Sequence, residues 1–363
     1  MDITAKRKVS LSLLSTAMLV SFSSHAVLIY EDENSQVELF GEVSLGAYMG
    51  NQKEYAEYNS NEALIDDTFG TLGVKGQTGN LIYRLELDFQ RENWNGGTGE
   101  MVLDFDKAYM GYFIDSQHYI EIGMTDTAVD DIDGFGDLTF ELGVEIPDAG
   151  DQPRTVKYHF NYNEFQAAAS YSYKSESSSG SDYGDVVSGY AGYFGDRASL
   201  VLGLEKRAGS EGSSQYGEGY LYTLGARYLV NQELEFGING FIQNQDIAQE
   251  RTVITPPEGY KPGEYQFNQY ETLKNSGLLV SARYAVLSNV DVFASSNYES
   301  REEWDKFGDY WTGNDTQWRE WGKDRIWHTA GLSYRPTHNT EFGAEISLGE
   351  TAQIGYASAT VYF

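Results

Sequence analysis

The chain has 363 residues, no Cys, and 55 Asp and Glu against 25 Lys and Arg, for a formal net charge of -30. The carboxylate excess argues against a nucleic-acid partner, and without Cys neither disulfides nor thiolate metal sites are available. Abundant Tyr and Gly, scarce Pro and a mean hydropathy below zero suit either an exported soluble β-protein or a membrane barrel, whose alternating strands average out as hydrophilic.

At the N-terminus Lys6-Arg7-Lys8 precedes an apolar run from Val9 to Phe22 and then Ser24-His25-Ala26, with small residues at the two positions a signal peptidase inspects. This predicts a secretory signal peptide over residues 1–26, cleaved after Ala26, and a mature domain over residues 27–363. Beyond it, no stretch approaches the roughly 18 uninterrupted apolar residues that a spanning helix requires.

From Gln36 onward, segments alternate with period two. Residues 81–89 are the sharpest case, with Arg84, Glu86 and Asp88 on one face and Leu81, Tyr83, Leu85, Leu87 and Phe89 on the other. One such segment also suits a half-buried soluble sheet, so the inference rests on repetition. Starts near Val37, Thr68, Leu81, Val102, Gln117, Thr155, Glu164, Asp185, Ala198, Gly219, Glu233, Thr272, Asn289, Arg325, Asn339 and Ala352 give about sixteen strands, in the range where a barrel leaves an aqueous lumen. Short turns follow outward Tyr228, Tyr284 and Tyr334, a side chain suited to a lipid–water boundary. The intervening connections, 92–100, 175–185, 208–218, 246–270 and 300–324, are longer and more acidic. Short turns on one rim and long loops on the other are the asymmetry of an outer-membrane barrel.

At the end of the chain Ala357, Ala359, Val361 and Phe363 form an apolar file. Such a terminal strand is an aggregation edge unless another strand pairs with it, and barrel closure removes the edge. Phe69-Gly70-Thr71-Leu72-Gly73-Val74-Lys75-Gly76 resembles the second-strand motif of the general porins of the Gram-negative outer membrane, Arg-Leu-Gly-Phe-Lys-Gly. Asp106-Lys107-Ala108-Tyr109-Met110-Gly111-Tyr112 resembles their Arg-x-Ala-Tyr-Val-Gly-Leu strand, and the terminal Phe363 fits as well. Two departures remove charge: Thr71 and Met124 stand where the family commonly has Arg. The resemblance implies an all-β transmembrane antiparallel β-barrel with an inward-folded constriction loop, located in the bacterial cell outer membrane among lipid and lipopolysaccharide. It further implies a homotrimer, insertion by machinery that reads Phe363 as an assembly signal, and passive passage of small hydrophilic solutes and ions.

By the same resemblance, the connection from Thr125 to Pro153 occupies the position of the loop that narrows a porin lumen. Its candidate constriction residues are Asp130, Asp131, Asp133, Asp137, Glu141 and Glu145. Gly134, Gly136 and Gly143 permit tight turns beside a wall, and Ile132, Phe135, Leu138 and Phe140 are available to pack the loop down. An ordinary external loop is the alternative. A calcium-loop motif fails, because placing Gly134 at the invariant position puts Val129 and Phe140 where the first and last carboxylates belong; no metal site is expected. Lys75, Arg84, Lys107 and Lys157 fall on the lumen-facing parity of their segments and are the candidate basic wall, with Arg227 and Arg283 of like parity. Facing charges either set a transverse field or hold the loop in place. With Thr71 and Met124 weakening the basic wall, the balance predicts cation preference.

No Gly-x-Ser-x-Gly, His-Glu-x-x-His or phosphate loop is present, and His118, His159, His328 and His338 are scattered singly, so neither enzyme activity nor a cofactor is expected. Trp304, Trp311, Trp318 and Trp321 crowd the segment 304–327 among carboxylates. They are candidate saccharide contacts, or else loop packing, lipopolysaccharide or subunit contacts. The expected function is a cation-preferring porin. The alternatives are a saccharide-specific porin using the Trp-rich loop, and an adhesin or phage-receptor barrel.

Overall fold

The computed structural model describes residues 26–50, 64–93, 98–176, 182–209, 216–251, 266–301, 324–349 and 354–363. Its strands are β1 (Val27–Glu31), β2 (Ser35–Gly50), β3 (Leu64–Asp66), β4 (Phe69–Thr78), β5 (Leu81–Asn93), β6 (Thr98–Phe113), β7 (His118–Asp126), β8 (Asp151–Tyr162) and β9 (Phe165–Glu176) in the first half. The second half supplies β10 (Asp182–Phe194), β11 (Ala198–Arg207), β12 (Tyr216–Leu229), β13 (Leu234–Arg251), β14 (Gln266–Leu287), β15 (Val290–Arg301), β16 (Asp324–Thr337), β17 (Thr340–Gly349) and β18 (Ile354–Tyr362). Sixteen of them, β2 and β4 to β18, form a closed antiparallel barrel, each paired with the next in sequence and β18 paired with β2. Closure gives every strand two neighbours, which is what a lipid environment without hydrogen-bonding partners demands.

Two short strands were not legible as separate elements. β3 pairs Ile65 with Tyr48 and takes over from β4 along the upper half of β2. β1 pairs Val27 with Leu39, in line with β18 on the other edge of β2. The other sixteen begin close to the expected positions, with one larger difference. β14 starts at Gln266 rather than near Thr272, because its ladder with β13 runs out to Arg251 opposite Gln266. The added residues, Gln266-Phe267-Asn268-Gln269-Tyr270-Glu271, do not alternate apolar with polar, so they carry no period-two signal although the ladder continues through them with one register shift.

In β11, Leu200, Leu202 and Leu204 point outward and are about half exposed, whereas Val201 and Glu205 point inward and are buried. The same alternation in β14 sets Leu278, Val280 and Tyr284 outside and Leu279 and Ser281 inside. Tyr112, Tyr162, Phe165, Tyr193, Tyr228, Phe236, Tyr284, Tyr334 and Phe342 are all exposed beside the short turns. They form the aromatic girdle of that rim.

The seam is closed by the last residue itself. Gly41 N–H donates to the Phe363 carbonyl at 2.8 Å, and Phe363 N–H donates to the Gly41 carbonyl at 2.9 Å. A Cβ on Gly41 would lie 2.7 Å from the Phe363 ring and 2.3 Å from the Thr71 carbonyl oxygen, so the ring fits only over glycine. Deleting Phe363 removes both bonds and the ring together. Such a variant is expected to cross the inner membrane normally but to yield little heat-modifiable barrel in outer-membrane fractions. Recovery at the level of the unmodified protein would count against a closing role.

Candidate functional site

Between β7 and β8 the chain leaves the ladder and runs inside the barrel. Its position follows from what it touches. Ala128 N–H donates to Ser170 Oγ of β9 at 3.0 Å, and Val129 N–H to Ser188 Oγ of β10 at 2.8 Å. Asn239 of β13 donates to the Asp133 carbonyl at 2.6 Å and Ser281 of β14 to the Gly136 carbonyl at 3.0 Å, while Arg227 of β12 donates to the Phe135 carbonyl. Farther round, Glu345 of β17 accepts from Phe140, Glu141 and Leu142 N–H at 3.2, 2.6 and 2.7 Å. Trp327 Nε1 and Thr329 Oγ1 of β16 both donate to the Leu142 carbonyl. These contacts lie on the file opposite the lipid-facing one, so the segment crosses the lumen and lies along the far wall.

Apolar packing seats it. Val129, Val144 and Ile146 of the loop share a buried cluster with Leu221, Phe241, Leu279 and Trp327 of the wall, and Leu142 joins Tyr48, Ile65, Ile354 and Tyr356. Ile132 and Leu138 are buried, Phe135 meets Phe194 edge to face at 5.2 Å, and Phe140 meets Phe293 in the same way at 5.1 Å. Gly136 lies against the wall so closely that a Cβ would stand 1.7 Å from the Ile238 carbonyl oxygen. Gly134 has nothing within 4 Å of its Cβ position, so close approach explains Gly136 and not Gly134.

Open space lies between the loop and the wall of β2 and β4 to β10. A cavity of about 530 Å³ there is lined on the loop side by Asp130, Asp131 and Asp133. Lys75, Arg84, Lys107 and Lys157 line it on the wall side. Asp137, Glu141 and Glu145 do not line this cavity; Glu141 lies instead by β2, where Tyr48 donates to it at 3.2 Å. Trp304, Trp311, Trp318 and Trp321 lie outside the described residues.

The wall cations are not an uncompensated row. Lys75 pairs with Glu38 at 3.2 Å, and Lys157 pairs with Glu121 at 3.1 Å and Asp131 at 2.7 Å. Arg84 pairs with Glu86, and Lys107 reaches Asp106, Asp126 and Asp151 at 3.3, 2.6 and 2.9 Å. Register explains two of these pairs, since Lys75 is the cross-strand partner of Glu38 and Lys157 of Glu121; Arg84 meets Glu86 two residues along its own strand, and Lys107 reaches carboxylates other than Glu86, the residue opposite it. Glu86 and Glu121 were not named as site residues from sequence, although each shares the lumen parity of a neighbouring cation; Asp126 falls on the parity of Ile120 and Ile122, and parity alone does not place it at the cavity. Thr71 donates to Asp88 at 2.8 Å.

Loop carboxylates are crowded. Burial within the barrel pushes Asp131 up to about 6 although Lys157 opposes the shift. Burial, then the charge of Asp67, pushes Glu141 up to about 7 against the Tyr48 hydrogen bond.

A closed ring with an apolar outer band and an inward-folded loop defines a transmembrane β-barrel of porin-like fold. No family model matches the chain, and no curated protein matches it. Among solved structures it is similar to Salmonella typhi OmpF in complex with daunomycin, at 14% identity over 93% of this chain and 100% of that one, with a TM-score of 0.65. It is also similar to the trimer form of OmpT, an outer membrane protein of Vibrio cholerae, at 12% identity over 91% and 100% and a TM-score of 0.62. The anion-selective porin from Comamonas acidovorans follows at 15% identity over 91% and 100%, with a TM-score of 0.59. At these identities the likeness is one of fold.

Proposed function

We propose that this protein is an outer-membrane porin, a passive water-filled channel for small hydrophilic solutes and ions that prefers cations. The observation that carries the reading is the loop at residues 127–150, folded inside a sixteen-strand barrel and facing a wall whose cations already have carboxylate partners. At the opening, Glu86, Glu121, Asp126, Asp130, Asp131 and Asp133 outnumber Lys75, Arg84, Lys107 and Lys157. Within a Debye length of about 8–10 Å the field of such a cluster concentrates cations and depletes anions. Residues 1–26 serve as a signal peptide on this reading, and a homotrimer accords with the trimer form of the Vibrio cholerae neighbour. Single-channel steps in planar bilayers, with conductance rising with KCl concentration, test it; a purified, folded protein that produces no steps contradicts it.

The same reading predicts a pH dependence. Glu141 faces Tyr48 of β2, Asp67 before β4, Glu345 of β17, Tyr356 of β18 and Asp137 of its own loop. With its pKa pushed up to about 7, it is charged above that value and loses its charge as pH falls through it. Cation preference should therefore weaken between pH 8 and 6, above the ordinary carboxylate range near about 4. In Glu141→Gln the slope should be reduced near pH 7, leaving the change closer to pH 6 that belongs to Asp131; an unchanged slope would assign the whole titration to Asp131 or another group.

A further inference from the structure

Among the described residues, three clusters bring carboxylate oxygens within 4.8 Å of one another: Glu86 with Asp88 and Asp106, Asp126 with Asp130 and Asp151, and Asp130 with Asp133 and Asp148. Like charges at such separations repel strongly unless a cation lies among them. The first two clusters have one. Arg84 pairs with Glu86, and Lys107 lies 3.3 Å from Asp106, 2.6 Å from Asp126 and 2.9 Å from Asp151. In the third, no described Lys or Arg forms an ion pair with Asp130, Asp133 or Asp148. The nearby Arg207 is engaged by Glu205 at 2.8 Å and by the Pro147 carbonyl at 2.5 Å.

A second observation points the same way. Asp148 Oδ1 accepts from Gly150 N–H at 3.1 Å. Its other oxygen, Oδ2, has less than 1 Å² of exposed surface and no hydrogen-bond partner. A buried carboxylate oxygen without a partner is costly, and this one belongs to a residue whose carboxylate reaches Asp130 and Asp133.

We propose that Asp130, Asp133 and Asp148 form a divalent-cation site and that its ion is Ca²⁺. An all-oxygen, all-carboxylate set selects a hard cation, and Ca²⁺ bonds of about 2.3–2.6 Å span oxygens this far apart with water completing the shell. Mg²⁺ requires shorter bonds and a near-octahedral arrangement that a loop supplies less readily. Bound there, the ion ties the outgoing limb of the loop at Asp130 and Asp133 to the returning limb at Asp148. This assignment goes beyond the channel reading, and its test does not depend on conductance.

The folded full-length protein, stripped with chelator, is titrated with CaCl2 and followed by calorimetry. One saturable Ca²⁺ per chain is expected, weakened about tenfold or more in Asp148→Asn. Asp133→Asn, on the exposed part of the loop, should give the same loss and serves if Asp148→Asn does not fold. Asp106→Asn, in a cluster that already holds a cation, should bind as the unmodified protein does. No saturable uptake, or uptake unaltered in Asp133→Asn and Asp148→Asn, overturns the site; MgCl2 binding as tight as CaCl2 overturns the choice of ion.

Discussion

Glu345→Ala should raise single-channel conductance and make the current noisier. One carboxylate holds three consecutive loop N–H groups, those of Phe140, Glu141 and Leu142. Hydrogen bonds to a charged acceptor contribute roughly 1.5–3 kcal/mol each, and about 1.4 kcal/mol is already tenfold in an equilibrium. Two neutral anchors persist, from Trp327 and Thr329 to the Leu142 carbonyl, so the expected change is release of this part of the loop rather than loss of the fold. Glu345→Gln retains one acceptor oxygen and should fall between the two. Heat-modifiable mobility on gels checks that the barrel is intact, and an intact Glu345→Ala barrel with unchanged conductance would show that the loop needs no such anchor.

Changing Asp130, Asp131 and Asp133 together to Asn should sharply reduce cation preference in divalent-free KCl. After that change the loop contributes none of the three carboxylates at the opening, while each wall cation keeps a partner: Lys75 has Glu38, Arg84 has Glu86, Lys107 has Asp106, Asp126 and Asp151, and Lys157 has Glu121. Lys157 also loses one of its two carboxylates, keeping only Glu121. Reversal potentials in a KCl gradient read the sign directly. Selectivity indifferent to the triple change would place the controlling charges elsewhere.

The barrel was legible because its signal is repeated. Period-two alternation, outward Tyr before the short turns and an apolar file ending at Phe363 each point to strands with one face in lipid. That signal failed in β14 before Thr272, where the ladder continues through a stretch with no period-two alternation, and in β1 and β3, which share the edges of β2 with longer strands. At the candidate site, parity alone identified Lys75, Arg84, Lys107 and Lys157 as lumen-facing. What it could not supply was register. Only the pairing of Lys157 with Glu121 and of Lys75 with Glu38 shows that the wall carries its own countercharges. The calcium-loop pattern weighed in the sequence is contiguous, so it does not address carboxylates such as Asp130, Asp133 and Asp148, which meet across two limbs of one loop. The proposed saccharide contacts at Trp304, Trp311, Trp318 and Trp321 fall outside the described residues.

The most direct measurement is the reversal potential of the unmodified protein in planar bilayers, across a KCl gradient at neutral pH without divalent ions. A carboxylate-rich opening predicts K⁺ permeating in preference to Cl⁻, with the preference shrinking as salt is raised and screening shortens the field. Preference for Cl⁻ at low salt would contradict it.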